Sequence, residues 1–285
     1  MIPKVAFLGP AGTFSDDALT TATPDVELER IPTGSVYAAI EAVARADADL
    51  ALVPFENSIE GSVRSTLDAL AFDATEVMIV GALDHPIRHS LIAATTLSLA
   101  EVQVVISHPQ ASAQCQRFIR ERLEGVEIRP APSTAEAVRM VSEEGGPWAA
   151  LGAASAAKIY GCRVIEEGVE DAADNVTRFV WLAPEGAVAA GEGPRTTTLV
   201  FSELGEDRPG ALVDALAEFS TREVNLTRIE SRPRRTQLGR YMFFLDIEGA
   251  ASEGQVADAI NALRSKAESV RILGSYPVGG PPPVT

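Results

Sequence analysis

Short apolar runs alternate with segments of helical periodicity along the first 183 residues. Seven runs have the length and β-branched content of strands: 4–8, 26–31, 49–55, 76–83, 102–107, 126–131 and 177–183. Between them, apolar positions recur every three to four residues, which predicts helices over 15–22, 34–46, 60–71, 109–123 and 133–145. Strands separated by helices predict an α/β architecture with largely parallel sheets.

A change of pattern marks residues 184–195, PEGAVAAGEGPR, which are rich in Gly, Ala and Pro. This composition predicts a linker, with a long surface loop as the alternative. The pattern then restarts with strand 197–204, helix 209–221, strands 224–233 and 240–249, helix 252–267 and strand 270–277. Such a β-α-β-β-α-β order predicts a ferredoxin-like unit over 196–277. The Gly- and Pro-rich tail, 278–285, is predicted to be disordered.

Charge and composition narrow the possible partners. The 285 residues include 40 acidic and 24 basic side chains, which gives a net charge of -16 and disfavours nucleic acid and membrane partners. Cys115 and Cys162 lie far apart, without Cys/His spacing, so we predict no disulfide, metal or other cofactor. The chain opens on an apolar strand without a signal-peptide pattern, and no apolar run approaches the roughly 20 residues of a membrane span. We therefore expect a cytoplasmic protein.

The first polar motif, GPAGTFSDDA (9–18), follows the opening strand. Free backbone N–H groups at a helix start, together with the hydroxyls of Thr13 and Ser15, are typical of an anion site. The alternative is a Gly-rich turn followed by an ordinary helix cap. An anionic substrate of so acidic a protein needs local donors of this kind.

The second motif, VPFENSIEGSV (53–63), stands where another predicted strand ends. Ligands of α/β sheets bind outside the carboxyl ends of strands, which places Glu56, Asn57 and Ser58 at a candidate site. Asn offers both a donor and an acceptor, and Ser offers a rotatable hydroxyl. The alternative is that Asn57 or Ser58 caps the following helix.

The third motif, SHPQASAQC (107–115), places Ser107 at a turn and Gln114 inside a predicted helix. His108 is either a general acid or base or an ordinary loop residue, and the same two interpretations apply to His89. In the fourth motif, DNVTRFVWL, the pattern alone makes Thr177 a strand residue and Arg178 a solvated edge residue.

Two stretches of the C-terminal unit carry candidate binding groups. DRPGALVDAL (207–216) puts Gly210 at a helix start, where a carboxylate can approach the backbone. NLTRIESRPRR (225–235) places charged side chains on one face of a strand, namely Arg228, Glu230 and Arg232. The alternative for this cluster is a solvated hairpin face.

Together these motifs resemble the prephenate dehydratase family up to about residue 277. The matching pieces are GPAGTFS, PFENSIEGSV, SHPQASAQC, STAEA (133–137), YGC (160–162) and NVTRF (175–179), followed by an ACT-type regulatory domain with GALV (210–213) and ESRP (230–233). The resemblance implies a carbon–oxygen lyase that converts prephenate to phenylpyruvate, water and carbon dioxide in L-phenylalanine biosynthesis. The chain has no further segment for a fused chorismate mutase.

The resemblance also implies the domain organisation. A catalytic domain over 1–183 resembles a two-lobed periplasmic binding protein, with lobe one formed by 1–76 and 166–183, lobe two by 77–165, and the active site in the cleft between them. The ACT regulatory domain covers 196–277. Such units pair side by side, which implies a homodimer or a homotetramer with phenylalanine bound at the interface.

Site residues follow from the matching motifs. The essential threonine of the family falls on Thr177, whose hydroxyl is expected to hydrogen-bond the departing hydroxyl group, and Glu56 is the alternative proton source. The implied substrate-binding residues are Thr13, Ser15, Asn57, Ser58, Ser107, Gln114, Arg178 and Phe179. The implied phenylalanine-binding residues are Gly210, Ala211, Leu212, Asn225, Leu226, Glu230 and Ser231. An arogenate dehydratase and a non-catalytic amino-acid-binding protein of the same fold remain the alternatives.

Overall fold

The computed structural model describes residues 2–187, 189, 191, 193–205 and 208–279. Position 1, positions 188, 190 and 192 of the predicted linker, positions 206 and 207 of the predicted C-terminal unit, and positions 280–285 of the predicted tail lie outside these described residues. The chain divides into two compact units, one made of 1–39, 52–63 and 84–179, the other of 40–51, 64–83 and 180–285. The predicted lobe and domain boundaries stay predictions.

Strands and helices alternate through most of the described chain. The strands are β1 (Lys4–Leu8), β2 (Glu29–Thr33), β3 (Leu50–Asn57), β4 (Gly61–Ser62), β5 (Val77–Pro86), β6 (Ser90–Ala93), β7 (Val104–Ser107), β8 (Glu127–Pro130), β9 (Trp148–Gly152), β10 (Arg163–Glu167), β11 (Val176–Pro184), β12 (Arg195–Ser202), β13 (Leu226–Pro233), β14 (Tyr241–Glu248) and β15 (Ser269–Pro277). The helices are α1 (Phe14–Ala22), α2 (Val36–Ala44), α3 (Arg64–Asp68), α4 (Pro109–Gln114), α5 (Gln116–Arg122), α6 (Thr134–Glu144), α7 (Ala154–Ile159), α8 (Ala211–Ser220) and α9 (Gly254–Arg264).

These strands form three sheets. The first has the order β2-β1-β3-β11-β5, with β4 beside β3; the second is β10-β6-β9-β7-β8; the third is β13-β14-β12-β15. In the second sheet β7 runs parallel to β8 and β9, whereas β6 runs antiparallel to β9 and β10. The predicted α/β class is confirmed, but the sheets are not largely parallel, since the second sheet is mixed and the third is antiparallel.

Both faces of the second sheet are covered by apolar side chains, as in a buried α/β sheet. Neighbouring residues of β6 point to opposite faces: Leu91 packs with Ile119 of α5, and Ile92 packs with Val138 of α6. This two-residue alternation within a continuous apolar run explains why the strand carries no amphipathic pattern. It also explains why the sequence does not predict β6 and β9, whereas β10 is a short strand with charged residues at both ends.

The third sheet carries α8 and α9 on one face. Phe201 and Leu245 of the sheet pack with Phe219 of α8 and Ile260 of α9 in a single core. The predicted β-α-β-β-α-β order of the C-terminal unit is confirmed. The sheet also holds buried polar groups, because Asp246 accepts hydrogen bonds from both Arg228 and Thr198.

One predicted helix is wrong in part. The segment 60–71 begins as a β3–β4 hairpin turn in which Gly61 has φ of 79°, and only then continues as α3 and a π-helical turn over Ala69–Asp73. Gly61 is needed because L-residues with a side chain adopt such a φ only with strain. Within the described residues, no helix has the length and apolar character needed to cross a bilayer.

Candidate active site

Asn57 and Thr177 meet where β3 ends and β11 begins. Asn57 Nδ2 donates a 2.9 Å hydrogen bond to Thr177 Oγ1, although 120 residues separate the two positions. The backbone of Ser58 donates to Val176 O at 2.9 Å, and Ser58 Oγ accepts from Val176 N at 3.0 Å. Thr177 is only 8% exposed. Backbone and side-chain bonds thus hold the second and fourth motifs together.

The third motif joins the same cluster through Gln114. Its Oε1 accepts from Asn175 Nδ2 and lies 3.1 Å from His89 Nε2, while Asn175 Oδ1 accepts from Asn57 Nδ2 at 2.7 Å. Asn175 and His89 are buried, with 1% and 2% exposure. The structure therefore brings together Asn57, Thr177 and Gln114, as the sequence predicts, and adds Asn175 and His89. Asn175 could have been predicted from the sequence because it is the first residue of the NVTRF motif.

His89 is buried between the ring of Phe14 and two polar side chains, Gln114 and Glu170. Burial lowers the pKa of His89, against the hydrogen bond with Gln114 and the charge of Glu170, which act to raise it. The ring packs edge-on against Phe14 with centroids 5.1 Å apart. Glu170 accepts from the His89 backbone N–H and also pairs with Arg88 at 3.0 Å. A lowered pKa favours the neutral form of this imidazole.

The loop 9–15 uses several of its predicted anion-binding groups internally. Thr13 Oγ1 donates to Leu8 O and accepts from Asp16 N, so this hydroxyl caps α1. Asp16 Oδ2 accepts from Gly12 N, and Asp16 also pairs with Arg30. The chain thus places its own carboxylate at the helix start, and the alternative interpretation as a helix cap applies to Thr13. Ser15 is buried in the first turn of α1.

Other predicted residues have local structural partners. Ser107 is fully buried, and its hydroxyl donates to Leu151 O at 2.8 Å. Glu56 of β3 lies opposite Ser62 of β4 in the register of the β3–β4 hairpin. Arg178 forms a bidentate pair with Asp84 at 2.8 and 3.0 Å, so it is not a solvated edge residue. The Arg178–Asp84 pair joins the beginning of β11, beside Thr177, to the end of β5.

A cavity of about 510 Å³ lies near Phe14. It is lined by Phe14, Asp17, His85, Pro86, Arg88, Ser90, Ala153, Ala154, Ser155, Glu167 and Gly168. His85 Nε2 lies 3.1 Å from Asp17 Oδ2, and this hydrogen bond is the main reason that the pKa of Asp17 is lowered. The ring of His85 also contacts Phe179 of β11 edge-on. The lining combines aromatic surface with both signs of charge, which suits a small polar ligand.

His108 has a local role in the structure. Its side chain accepts from Gln110 N and caps α4, so the loop interpretation applies. Within the described residues, no group of three or more His, Cys, Asp and Glu side chains is arranged to hold a metal.

The predicted phenylalanine-binding residues lie along α8 and β13. Gly210, with φ of 83°, directly precedes α8, which begins at Ala211. Leu212 and Leu226 pack against the same C-terminal core. Glu230 is half-buried, whereas Asn225 and Ser231 are exposed. Arg228 and Arg232, on the same face as Glu230, are paired with Asp246 and Asp68, so this face is not a solvated one.

Family profiles match both parts of the chain. The profile described as prephenate dehydratase matches residues 5–187, and the profile described as ACT domain matches residues 200–265. The chain belongs to the prephenate dehydratase family. A prephenate dehydratase from Mycobacterium leprae (strain Br4923) is 39% identical over 287 residues, which cover 98% of this chain and 88% of that protein. A prephenate dehydratase from Mycobacterium tuberculosis (strain ATCC 25618 / H37Rv) is 39% identical over 286 residues, 97% of this chain and 87% of that protein.

Solved structures agree with this family. A prephenate dehydratase from Arthrobacter aurescens, in complex with L-Phe, is 39% identical with a TM-score of 0.86, over 96% of this chain and 89% of that one. A protein described as GqqA, a novel type of quorum quenching acylase, is 32% identical with a TM-score of 0.84, over 97% of this chain and 98% of that one. The predicted family is confirmed, and one relative of the same fold has a different described activity.

Proposed function

We propose that the chain converts prephenate to phenylpyruvate, carbon dioxide and water, and that phenylalanine regulates this activity. The C–C bond to the ring carboxylate breaks, and its electron pair enters the ring, which becomes aromatic. The C–O bond to the ring hydroxyl breaks, and its electron pair leaves with the oxygen. That oxygen takes up one proton and departs as water. Family membership over both domains supports the proposal.

The assignment of the active site depends on the buried hydroxyl of Thr177. Negative charge develops on the departing oxygen, and a positioned donor stabilises it best where water is excluded. Thr177 is 8% exposed and is held by Asn57 at 2.9 Å. Proton donation or hydrogen bonding by a positioned group typically contributes about 100- to 10,000-fold. We propose that Thr177 contacts the leaving hydroxyl and that Glu56 is the alternative proton source.

Substitution of Thr177 tests this role. Thr177→Val keeps the shape and removes the hydroxyl, so we expect single-turnover rates to fall by about 100-fold or more. Thr177→Ser, the matched control, keeps the hydroxyl and should lose far less. Near wild-type turnover in Thr177→Val would contradict the assignment. Glu56→Gln with an unaltered pH profile would remove Glu56 as the proton source.

The remaining substrate-binding set is also a proposal. We propose that Ser15, Ser58, Gln114, Arg178 and Phe179 bind the substrate together with Asn57, through contacts that the motif matches imply. Thr13 and Ser107 support the site through the hydrogen bonds that cap α1 and anchor β7.

One assay separates the candidate activities. Purified protein is given prephenate or arogenate, and ultraviolet absorbance and chromatography detect phenylpyruvate or phenylalanine. Release of an acyl group from an acylated signal molecule is measured in parallel, because the GqqA relative is described as an acylase. We expect turnover of prephenate; binding of amino acids without any turnover would favour a non-catalytic protein.

Regulation and assembly form the last part of the proposal. We propose that phenylalanine binds the C-terminal domain, its carboxylate near Gly210 and Ala211 and its ammonium near Asn225 and Glu230, with Leu212, Leu226 and Ser231 around it. β13 is an edge strand that exposes Ile229, which suits pairing of two such sheets into a homodimer or homotetramer. Calorimetry that detects no phenylalanine binding would refute this, and light scattering measures the assembly. Free thiols at Cys115 and Cys162 suit a cytoplasmic location.

A further inference from the structure

A line of hydrogen-bonded side chains leads inward from Thr177 through Asn57, Asn175 and Gln114 to His89. Each amide in this line has one donating end and one accepting end. The direction of every bond is therefore determined if groups that only donate, or only accept, hold the ends.

The end at Thr177 is fixed by backbone groups. Asn57 Oδ1 accepts from the N–H groups of Ile59 and Glu60, both at 3.0 Å, so Asn57 must turn Nδ2 towards Thr177. An amide NH₂ cannot accept, and Thr177 Oγ1 is therefore an acceptor of Asn57 Nδ2, whose two hydrogens it shares with Asn175 Oδ1 and Val176 O. Among the described residues the structure records no second side-chain partner for Thr177. Its hydroxyl hydrogen is available to a ligand acceptor.

The other end lies near a carboxylate, at the outer limit of hydrogen-bond distance. Gln114 Nε2 faces Glu60 Oε1 at 3.5 Å, and a carboxylate accepts only. Gln114 Oε1 faces Asn175 and His89, at 3.1 Å from each nitrogen, because Asn175 Oδ1 is occupied by Asn57 Nδ2 and Asn175 can turn only its Nδ2 towards Gln114. Asn175 Nδ2 donates to Gln114, and Asn175 Oδ1 accepts from Asn57. Both directions agree with the one set at Thr177.

His89 completes the line as a donor. Because Gln114 Oε1 accepts, His89 Nε2 carries the hydrogen, and the buried Nδ1 has no hydrogen-bond partner within the described part of the chain. The charged groups around the ring are Glu170 on its backbone N–H, Arg88 on Glu170, and Glu60 beyond Gln114. A proton on Nδ1 would find no acceptor, and burial lowers the pKa of His89 accordingly.

We propose that His89 is a positioning residue for the reaction. As the neutral Nε2–H tautomer it gives Gln114 Oε1 a second donor, and so holds Gln114 and Asn175 in the orientation that the backbone sets at Asn57 and that leaves the Thr177 hydroxyl donating to the leaving group. Without this donor, Gln114 loses one of the two bonds to its carbonyl oxygen, and Gln114 and Asn175 hold Asn57 and the Thr177 hydroxyl less firmly in place. The inference rests on the proposed function, because it gives the Thr177 hydroxyl its direction in that reaction.

A double-mutant cycle tests the relay. His89→Phe keeps a ring against Phe14 but removes the donor, and we expect kcat to fall about tenfold with KM within about twofold. His89→Gln, the conservative control, retains an N–H donor and should stay within about threefold of wild type. In a Thr177→Val background, His89→Phe should have no further effect. Equal losses for Phe and Gln in folded protein, or an undiminished loss in the Thr177→Val background, would overturn the inference.

The tautomer is measurable without turnover. The chain contains three histidines, His85, His89 and His108, so ¹⁵N-histidine NMR spectra are simple, and His89→Gln identifies the signal of His89. We expect a neutral Nε2–H ring at pH 7. An Nδ1–H or charged ring would overturn the inference even if the enzyme turns over prephenate. Wild-type protein that leaves prephenate unchanged overturns the proposed function instead, whatever the tautomer.

Discussion

Asp68 at the end of α3 is the residue whose replacement gives the clearest test of how the C-terminal sheet is anchored within its unit. Its carboxylate accepts from Arg232 at 2.9 and 2.6 Å and from Arg235 at 2.9 Å, and the side chains of Asp68 and Arg232 are only 16% and 17% exposed. Arg235 also lies over the Phe72 ring. Breaking a fully buried pair costs about 3–5 kcal/mol. Since these groups retain some solvent, we expect Asp68→Asn to cost about 2–3 kcal/mol.

Thermal denaturation followed by circular dichroism measures this cost. A loss of about 2–3 kcal/mol should lower the midpoint by roughly 5–10 °C in a protein of this size. Glu41→Gln is the control, because the pair of Glu41 on α2 with the exposed Arg45, which directly follows α2, contributes about 0.5 kcal/mol or less. If Asp68→Asn shifts the midpoint no more than Glu41→Gln does, the pair is not the anchor that its geometry indicates.

The ion pair between Asp68 and Arg232 makes the stability of the protein depend on pH. Burial acts to raise the pKa of Asp68, but the hydrogen bonds from Arg232 and Arg235 outweigh it, and the net pKa lies below 3.8. A carboxyl group with a lowered folded-state pKa stabilises fully above its unfolded pKa, and the contribution is lost as pH falls through the folded value. The difference in midpoint between wild type and Asp68→Asn should therefore shrink below about pH 3.8.

Three further predictions concern other buried groups. Asp246→Asn should destabilise by about 3–5 kcal/mol, because Arg228 is left buried without its charge partner, whereas the double replacement Arg228→Met with Asp246→Leu should recover most of the loss in urea denaturation. Because burial lowers the pKa of His89, wild type should lose stability as pH falls below about 6.5, and His89→Gln should lose less; equal slopes would contradict this. Native protein should expose one thiol to iodoacetamide, on half-buried Cys162, and the fully buried Cys115 should react only after unfolding, as mass spectrometry of digested peptides will show.

The strands and helices that the sequence predicts best are those with a one-sided apolar pattern. The β-α-β-β-α-β order after residue 195 is recovered because its sheet packs α8 and α9 on one face, which leaves a clear alternation along β13. The strands β6 and β9 are missed because helices cover both faces of their sheet, so that short runs such as Ser90–Ala93 contain no polar positions to set a period. Burial on two sides removes the periodicity on which sequence prediction depends.

The residues of the candidate site, like the strands, were predicted only in part. Motif matches place Asn57, Gln114 and Thr177, and the structure brings these three side chains into one hydrogen-bonded cluster. The same matches also selected Ser107, whose hydroxyl is bonded to Leu151 O inside the second sheet. A serine whose hydroxyl supports the fold and a serine whose hydroxyl faces a ligand look the same in a sequence. Only the hydrogen-bond partner in the structure distinguishes them. His89 was missed as a member of the cluster because its partner lies 25 residues away on α4.

Residue types do not determine the direction of a hydrogen bond. The direction of the bond between Asn57 and Thr177 depends on the turn that precedes Gly61. Gly61, with φ of 79°, turns the chain into the β3–β4 hairpin, and an added Cβ would meet no atom within 4 Å. The requirement for glycine is therefore conformational, about 1–2 kcal/mol for another residue, and not a matter of space. This turn aims the N–H groups of Ile59 and Glu60 at Asn57 Oδ1, which obliges Asn57 Nδ2 to donate to Thr177. The direction in which the Thr177 hydroxyl points is thus determined by backbone groups of a turn before any substrate contacts it.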